Sequence, residues 1–261
     1  MKIFDCFIYN DEDLILELRF NILDKFVHKF IVIEAKFDHQ NNPKKTNFNI
    51  EKFSKFKNKI EYIVLDIFPK DLSNWGRENY QRNFISKGLH GANDEDYIII
   101  SDADEIPNLE KLQNKKIGKY TVFKQKLFYY KINLLNKTEP FWYGSKICKK
   151  KYLKSPQWLR DQKVKNYSFW KFYKIKWDII ENGGWHFSFL KTPEEIQKKL
   201  KQYAHAEFNM EKYTNLERIK SSVKNKHDLF DRNLTFEKIE INNNFPKFIV
   251  DNRELYKEWI I

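Results

Sequence analysis

Four short apolar runs punctuate the first hundred residues: Ile3 to Tyr9, Phe30 to Ala35, Ile60 to Asp66 and Tyr97 to Ser101. Each is nearly unbroken, and a strand covered on both faces shows such a run rather than alternation. After the first run, Leu14, Ile15, Leu18, Ile22 and Leu23 recur at helical spacing. Asn10 can cap that helix, with Asp11, Glu12 and Asp13 in the first turn, where the helix dipole favours acids. A polar loop, His39 to Asn49, leads to the third run. After it, Trp75 to Arg82 passes into a helix expected to pack Tyr80, Phe84 and Leu89. Strand, helix, strand, loop, strand, helix, strand predicts an α/β fold around a mostly parallel sheet.

Past residue 120 the pattern changes. VFKQKLFYYKI (122–132) and YSFWKFYKIKW (167–177) alternate in the manner of antiparallel strands. GGWHFSFL (183–190) then leads to Thr192-Pro193-Glu194-Glu195, which reads as a capping box with proline in the first turn. The helix that follows would bury Ile196, Leu200 and Tyr203. A charged helix and an Asn-rich loop, Asn242 to Asn244, complete the chain. Without a repeat or a low-complexity linker, residues 1–261 read as a single domain of two halves, 1–110 with the strand–helix alternation and 111–261 with a smaller antiparallel extension.

The runs end in acids: Glu34, Asp66, then Asp102, Asp104 and Glu105, with Pro107 closing the last loop. In an open α/β sheet, ligands bind at the carboxyl ends of the strands. Side chains two apart on an extended segment point the same way. Asp102 and Asp104 can therefore address one hard cation, Mg²⁺ or Mn²⁺, completed by phosphate oxygens and water. The same residues also read as an acidic turn that caps a following helix.

Composition narrows the partners. Hydrophobic content of 41% and aromatic content of 17% supply a core and exclude a disordered chain. A formal charge of +12 favours anions, but arginine is sparse and the lysines are scattered, as on a lysine-coated surface. Cys6 and Cys148 imply no disulfide framework and suit a reducing compartment. No signal sequence or membrane-length run is visible, so a cytoplasmic protein is expected. Lys149, Lys150, Lys151 and Lys154 would allow it to rest on a membrane surface.

FIVIEA, WGRENYQR, SDADEIP and GGWHFS, in that order, resemble glycosyltransferase family 17, the β-1,4-mannosyl-glycoprotein N-acetylglucosaminyltransferases. The resemblance runs from FDCFIYN to about Phe208. It implies a GT-A fold, a UDP-sugar donor (UDP-N-acetylglucosamine in characterised relatives), a divalent metal and inversion at the anomeric carbon. The two halves would then be a nucleotide-sugar-binding half and an acceptor-side half. Asp102 and Asp104 would hold Mn²⁺ or Mg²⁺ against the donor diphosphate, with His186 as third ligand. Tyr9, Glu34 and Asp66 would border the nucleoside. Arg77 and Arg82 would reach the phosphates or form ion pairs, Glu78 lying one helical turn before Arg82. The base that takes the acceptor proton would be Glu105, with Asp161 and Glu194 as alternatives. Trp142, Trp158, Trp170 and Trp185 are candidates for stacking on sugar.

The acceptor would be a glycan or glycolipid. Vertebrate relatives carry an anchor and stem with no counterpart in this sequence, so neither secretory location nor N-glycan acceptor carries over. Two other classes compete: a metal-dependent phosphoesterase, and a basic nucleic-acid or polyanion binder using the lysines and aromatics of 167–177. The DADEI loop lacks the DxDxT pattern of aspartyl-phosphate chemistry. The alternation at 167–177 equally describes an antiparallel strand, and no nucleic acid is expected.

Overall fold

The computed structural model describes residues 1–113, 115, 117–165 and 175–261. The four apolar runs become β1 (Ile3–Ile8), β2 (Lys29–Ala35), β3 (Ile60–Leu65) and β4 (Tyr97–Ile100). They lie side by side, all parallel, in the order β4-β1-β2-β3. Their side chains alternate between two buried layers. Phe7, Val32 and Ile99 meet Ile15, Leu16 and Phe20 of α1 (Asp13–Leu23) on one face. Cys6, Ile31, Ile33, Ile98 and Ile100 meet Ile85, Leu89 and Leu159 on the other. Neither face is wet, which is why the runs carry no polar alternation.

The remaining strands are β5 (Glu105–Pro107), β6 (Tyr120–Tyr129), β7 (Leu134–Asn136), β8 (Phe141–Lys149), β9 (Asp178–Ile180), β10 (Gly184–Ser188) and β11 (Phe236–Lys238). β8 runs antiparallel to both β4 and β6. Antiparallel pairs also join β7 to β6, β11 to β7 and β10 to β5, while β9 and β10 lie parallel to β6. The α/β class holds, but the sheet is mixed, not mostly parallel. β8 takes the open edge of β4, so both halves share one hydrogen-bonded sheet.

Local expectations meet two corrections. α1 begins after Glu12, not after Asn10, because the Glu12 carboxylate accepts from the backbone N–H groups of Asn10 and Asp11. In α2 (Asn74–Asn83), capped by the Ser73 hydroxyl, Tyr80 is exposed, while Gln81 and Arg82 turn inward. The Thr192–Glu195 capping box forms as read, opening α4 (Pro193–Gln202); α3 (Pro156–Asp161) precedes it. Residues 166–174, most of the expected strand at 167–177 and Trp170 with it, lie outside the described residues. Among the described residues, no helix is long and apolar enough to cross a membrane.

Two buried cations fix the carboxyl end of β4. Arg19 sits in the apolar stripe of α1, one turn from Ile15 and one from Leu23, and is wholly buried. Its guanidinium makes a two-pronged pair with Asp5 of β1, at 2.6 and 2.7 Å. It also donates to the carbonyls of Asp102, Ala103 and Glu105 and to the Ser101 hydroxyl. On the far side, Lys146 of β8 donates to the carbonyls of Arg160 and Gln162 at 2.5 and 2.8 Å, tying the end of α3 to the sheet. Burial, then the Arg160 guanidinium, push the Lys146 ammonium down to about 8.

Arg19→Met leaves Asp5 buried and unpaired, so urea denaturation should show a loss of about 3–5 kcal/mol. Removing both charges together (Asp5→Asn with Arg19→Met) should cost less than the single change. An unchanged midpoint for Arg19→Met would contradict this account. For Lys146, the folded state releases its proton before the unfolded chain does. The unfolded chain binds more protons in that window, so stability should rise as pH goes from about 8 towards 10.5. Lys146→Met should lack that rise.

Candidate active site

After Ile100 the chain does not stay extended. The Glu105 N–H donates to the Asp102 carbonyl at 3.1 Å, closing a turn. The two aspartates therefore part company instead of facing one cation together. Asp102 accepts from Arg82 at 3.0 Å and from Arg160 at 2.5 Å, one guanidinium on each oxygen. Asp104 lies 3.5 Å from His186 Nε2 and 3.7 Å from the Lys199 ammonium. Burial works against both carboxylates, but Arg160 and Arg82 hold Asp102 below its usual range, and His186 and Lys199 do the same for Asp104. Burial likewise opposes charge on His186, yet Asp104 prevails and raises its pKa.

The turn is brought to His186 by strand pairing. β5 runs antiparallel to β10 with Glu105 opposite His186, and the Phe187 N–H donates to the Asp104 carbonyl at 2.9 Å. Gly184 makes the approach possible. Its φ is +137°, and a Cβ there would fall 2.2 Å from the Ile106 carbonyl oxygen. DADEIP and GWHFS, some eighty residues apart, are thus paired strands of one site.

Glu105 is fully buried and points away from solvent. Both oxygens accept from Arg160, at 2.8 and 2.9 Å, and the Trp142 indole N–H adds a third bond at 2.6 Å. The Asp102 N–H supplies a fourth at 3.2 Å. The Arg160 side chain thus bridges Asp102 and Glu105 across the turn. Gln157 completes the framework: it accepts from Arg82 at 2.6 Å and donates to Asp161 at 2.7 Å.

A cavity of about 770 Å³ opens over this turn. Of the residues singled out from the sequence, Tyr9, Glu78, Arg82, Asp102, Asp104, Asp161 and His186 line it, as does Trp142. Glu34, Asp66, Arg77, Glu105 and Glu194 do not. The reasons differ. Glu34 is buried and holds the loop after β2, accepting from Lys44, Tyr62 and the N–H groups of Asn47 and Phe48. Asp66 is exposed and paired with Lys36. Arg77 donates to the His39 carbonyl and Asn74. Tyr9 lies on the cavity wall, its hydroxyl donating to Asp13 at 2.5 Å.

Sequence reading missed Arg160, Lys199, Lys146 and Arg19. Two carried a usable signal. Arg19 interrupts the apolar stripe of α1, and Lys199 sits between Ile196, Leu200 and Tyr203 on the buried side of α4. A charge at such a position must find a partner, and here the partners are Asp5 and Asp104. Arg160 carried none beyond its adjacency to Asp161.

Among the described residues, no group of three His, Cys, Asp or Glu is arranged to hold a metal. Asp104 and His186 form a two-member set, and the buried His186 Nδ1 has no hydrogen-bond partner. One carboxylate, one imidazole and open volume fit an ion whose remaining ligands are substrate oxygens and water. The nitrogen donor suits Mg²⁺ poorly, since that ion takes oxygen ligands.

The chain is 32% identical over 108 residues to the β-1,4-mannosyl-glycoprotein 4-β-N-acetylglucosaminyltransferases of Homo sapiens and Rattus norvegicus. The match takes in 38% of this chain and 20% of theirs, so the chain matches about a fifth of the length of these relatives. Among solved structures, the glycosyltransferase GlyE of Streptococcus pneumoniae TIGR4 aligns with a TM-score of 0.33 at 11% identity. That alignment takes in 69% of this chain and 46% of GlyE, and is too slight to bear on the fold. The family model for glycosyltransferase family 17 matches residues 1–243. The chain therefore belongs to glycosyltransferase family 17.

Proposed function

We propose that the protein transfers N-acetylglucosamine from a UDP-linked donor to a hydroxyl of a glycan or glycolipid, inverting the anomeric carbon on a GT-A type fold. Family membership and the names of the relatives support the sugar. One geometric observation carries the chemistry: Asp104 and His186 border a large cavity at the carboxyl end of parallel strands, with Arg82, Lys146, Arg160 and Lys199 around them. Such a wall suits a diphosphate, whose negative charge grows as the sugar leaves.

In the transfer, the acceptor oxygen forms a bond to the anomeric carbon while that carbon's bond to the diphosphate oxygen breaks. The electron pair leaves with UDP, and the acceptor proton passes to a carboxylate. Asp161 suits this last role better than Glu105. It is exposed on the cavity wall, and Gln157 fixes one of its oxygens. Glu105 has both oxygens committed to Arg160 and the Trp142 indole. A divalent ion, when bound, would supply electrostatic stabilisation of the departing diphosphate; Asp104 and His186 would hold it, and their donor set favours Mn²⁺. A glycolipid acceptor would draw the protein to a membrane surface. In the lysine cluster at the end of β8, Lys149 and Lys151 are paired with Glu95.

Thermal melts with UDP and Mn²⁺ test the donor site. UDP at a hundredfold excess over its dissociation constant should stabilise the protein by about 2.7 kcal/mol. Chelation by EDTA, or Asp104→Asn, should remove most of that shift while the ligand-free melt persists. No nucleotide-dependent shift would defeat the reading. Asp161→Asn should lower UDP release from UDP-N-acetylglucosamine, in a glycan acceptor mixture, by about 100- to 10,000-fold with UDP affinity kept. Unimpaired turnover would remove Asp161 from the role.

A further inference from the structure

β8 opens with three aromatic residues in a row, Phe141, Trp142 and Tyr143, exposed by 44%, 41% and 39%. Contiguous exposed apolar surface beside a cavity marks a binding surface more often than an accident of composition. Two of the three border the cavity, although neighbours on a regular strand point to opposite faces. The three pair in regular register with Lys126, Gln125 and Lys124, and a bulge follows them on β8. Val122 pairs with Lys146 and Lys124 with Tyr143, so Gly144 and Ser145 together oppose Phe123 alone. Bulges bend a strand and re-aim its side chains, and they concentrate next to functional sites.

The position of Trp142 is built from several sides. Its indole N–H donates to Glu105 at 2.6 Å, and Glu105 is itself locked by Arg160. Its ring lies 5.5 Å, centroid to centroid, from the His186 imidazole. Gly144 leaves the room required: a Cβ there would come 1.9 Å from Gln125 Oε1 and 3.0 Å from both Trp142 Cδ1 and the Glu105 carboxyl carbon. A large half-exposed aromatic is thus held at the bottom by a buried carboxylate. The strand order β8-β4-β1-β2 sets it on the opposite side of the Asp102–Glu105 turn from Tyr9 and His39, which follow β1 and β2.

We infer that Trp142 is the acceptor platform: a neutral pyranose lays its C–H face on the indole, on the β8 side of the acidic turn, with Tyr143 beside it. This rests on the transferase reading, with the nucleoside beside Tyr9 on the β1–β2 side of the cavity as the family resemblance implies. It assigns Glu105 a positioning role, setting Trp142 and Arg160 together.

The test uses the methyl glycosides of glucose, galactose, mannose and N-acetylglucosamine as probes, read by saturation-transfer NMR, with UDP titrated by calorimetry into the same preparations. In the wild type, the ring C–H protons of at least one glycoside should receive saturation. Trp142→Ala should weaken that contact roughly tenfold. Trp142→Phe, which keeps a ring but loses the N–H, should weaken it less, and both variants should still take up UDP. A contact unchanged in Trp142→Ala, or absent from the wild type while UDP binds, overturns the platform and leaves the transferase reading standing. Absence of UDP uptake by the wild type takes down the transferase reading, and the platform with it.

Discussion

Two guanidinium groups grip the acidic turn after β4 from opposite sides, and the site depends on that grip. From within, Arg19 binds three of the turn's carbonyls and is neutralised by Asp5 on the neighbouring strand. From the cavity side, Arg160 binds the side chains of Asp102 and Glu105. Three carboxylates within four residues would repel one another and draw in water if the turn were free. Buried charge is tolerable only when paired and hydrogen-bonded. Arg19 fixes the turn's backbone and Arg160 disposes its side chains, which leaves Asp104 as the acid that meets the β10 histidine.

That division gives each member of the DADE sequence a separate task. Asp102 orders the cationic wall, standing between Arg82 and Arg160. Asp104 pairs with His186 and Lys199 and borders the cavity. Glu105 faces inward and sets Arg160 and Trp142. A motif that reads as a row of equivalent acids is resolved by one turn into an acid between two arginines, an acid beside a histidine and a buried support. Because β8 joins the open edge of β4, Trp142 stands on the same sheet as the parallel strands.

How much of this the sequence carried depends on the kind of signal. The four central strands were legible because burial on both faces leaves an unbroken apolar run, and the α4 capping box because its residues act locally. The antiparallel edge was not, since which strand takes the free side of β4 is decided by long-range pairing of β8. Asp102, Asp104 and His186 were singled out through their motifs, and all three line the same cavity. Their arrangement was not legible: Asp102 and Asp104 were read on an extended segment, and a single backbone hydrogen bond makes it a turn. Glu34 and Asp66 show the limit of reading acids at strand ends, one consumed by its own loop and the other by a surface lysine. The cations that complete the site lie on α1, α3, α4 and β8, far from the motif in sequence, and only Arg19 and Lys199 betray themselves by interrupting an apolar face.

The most direct measurement is a crystal structure of the protein soaked with UDP and Mn²⁺. The account predicts the diphosphate over the Asp102–Glu105 turn, with the metal touching Asp104 and His186, the uridine on the β1–β2 side and the Trp142 face left open. A nucleotide seated elsewhere, for instance in the smaller cavity between Phe26, Trp185 and Phe248, with the acidic turn untouched, would contradict it.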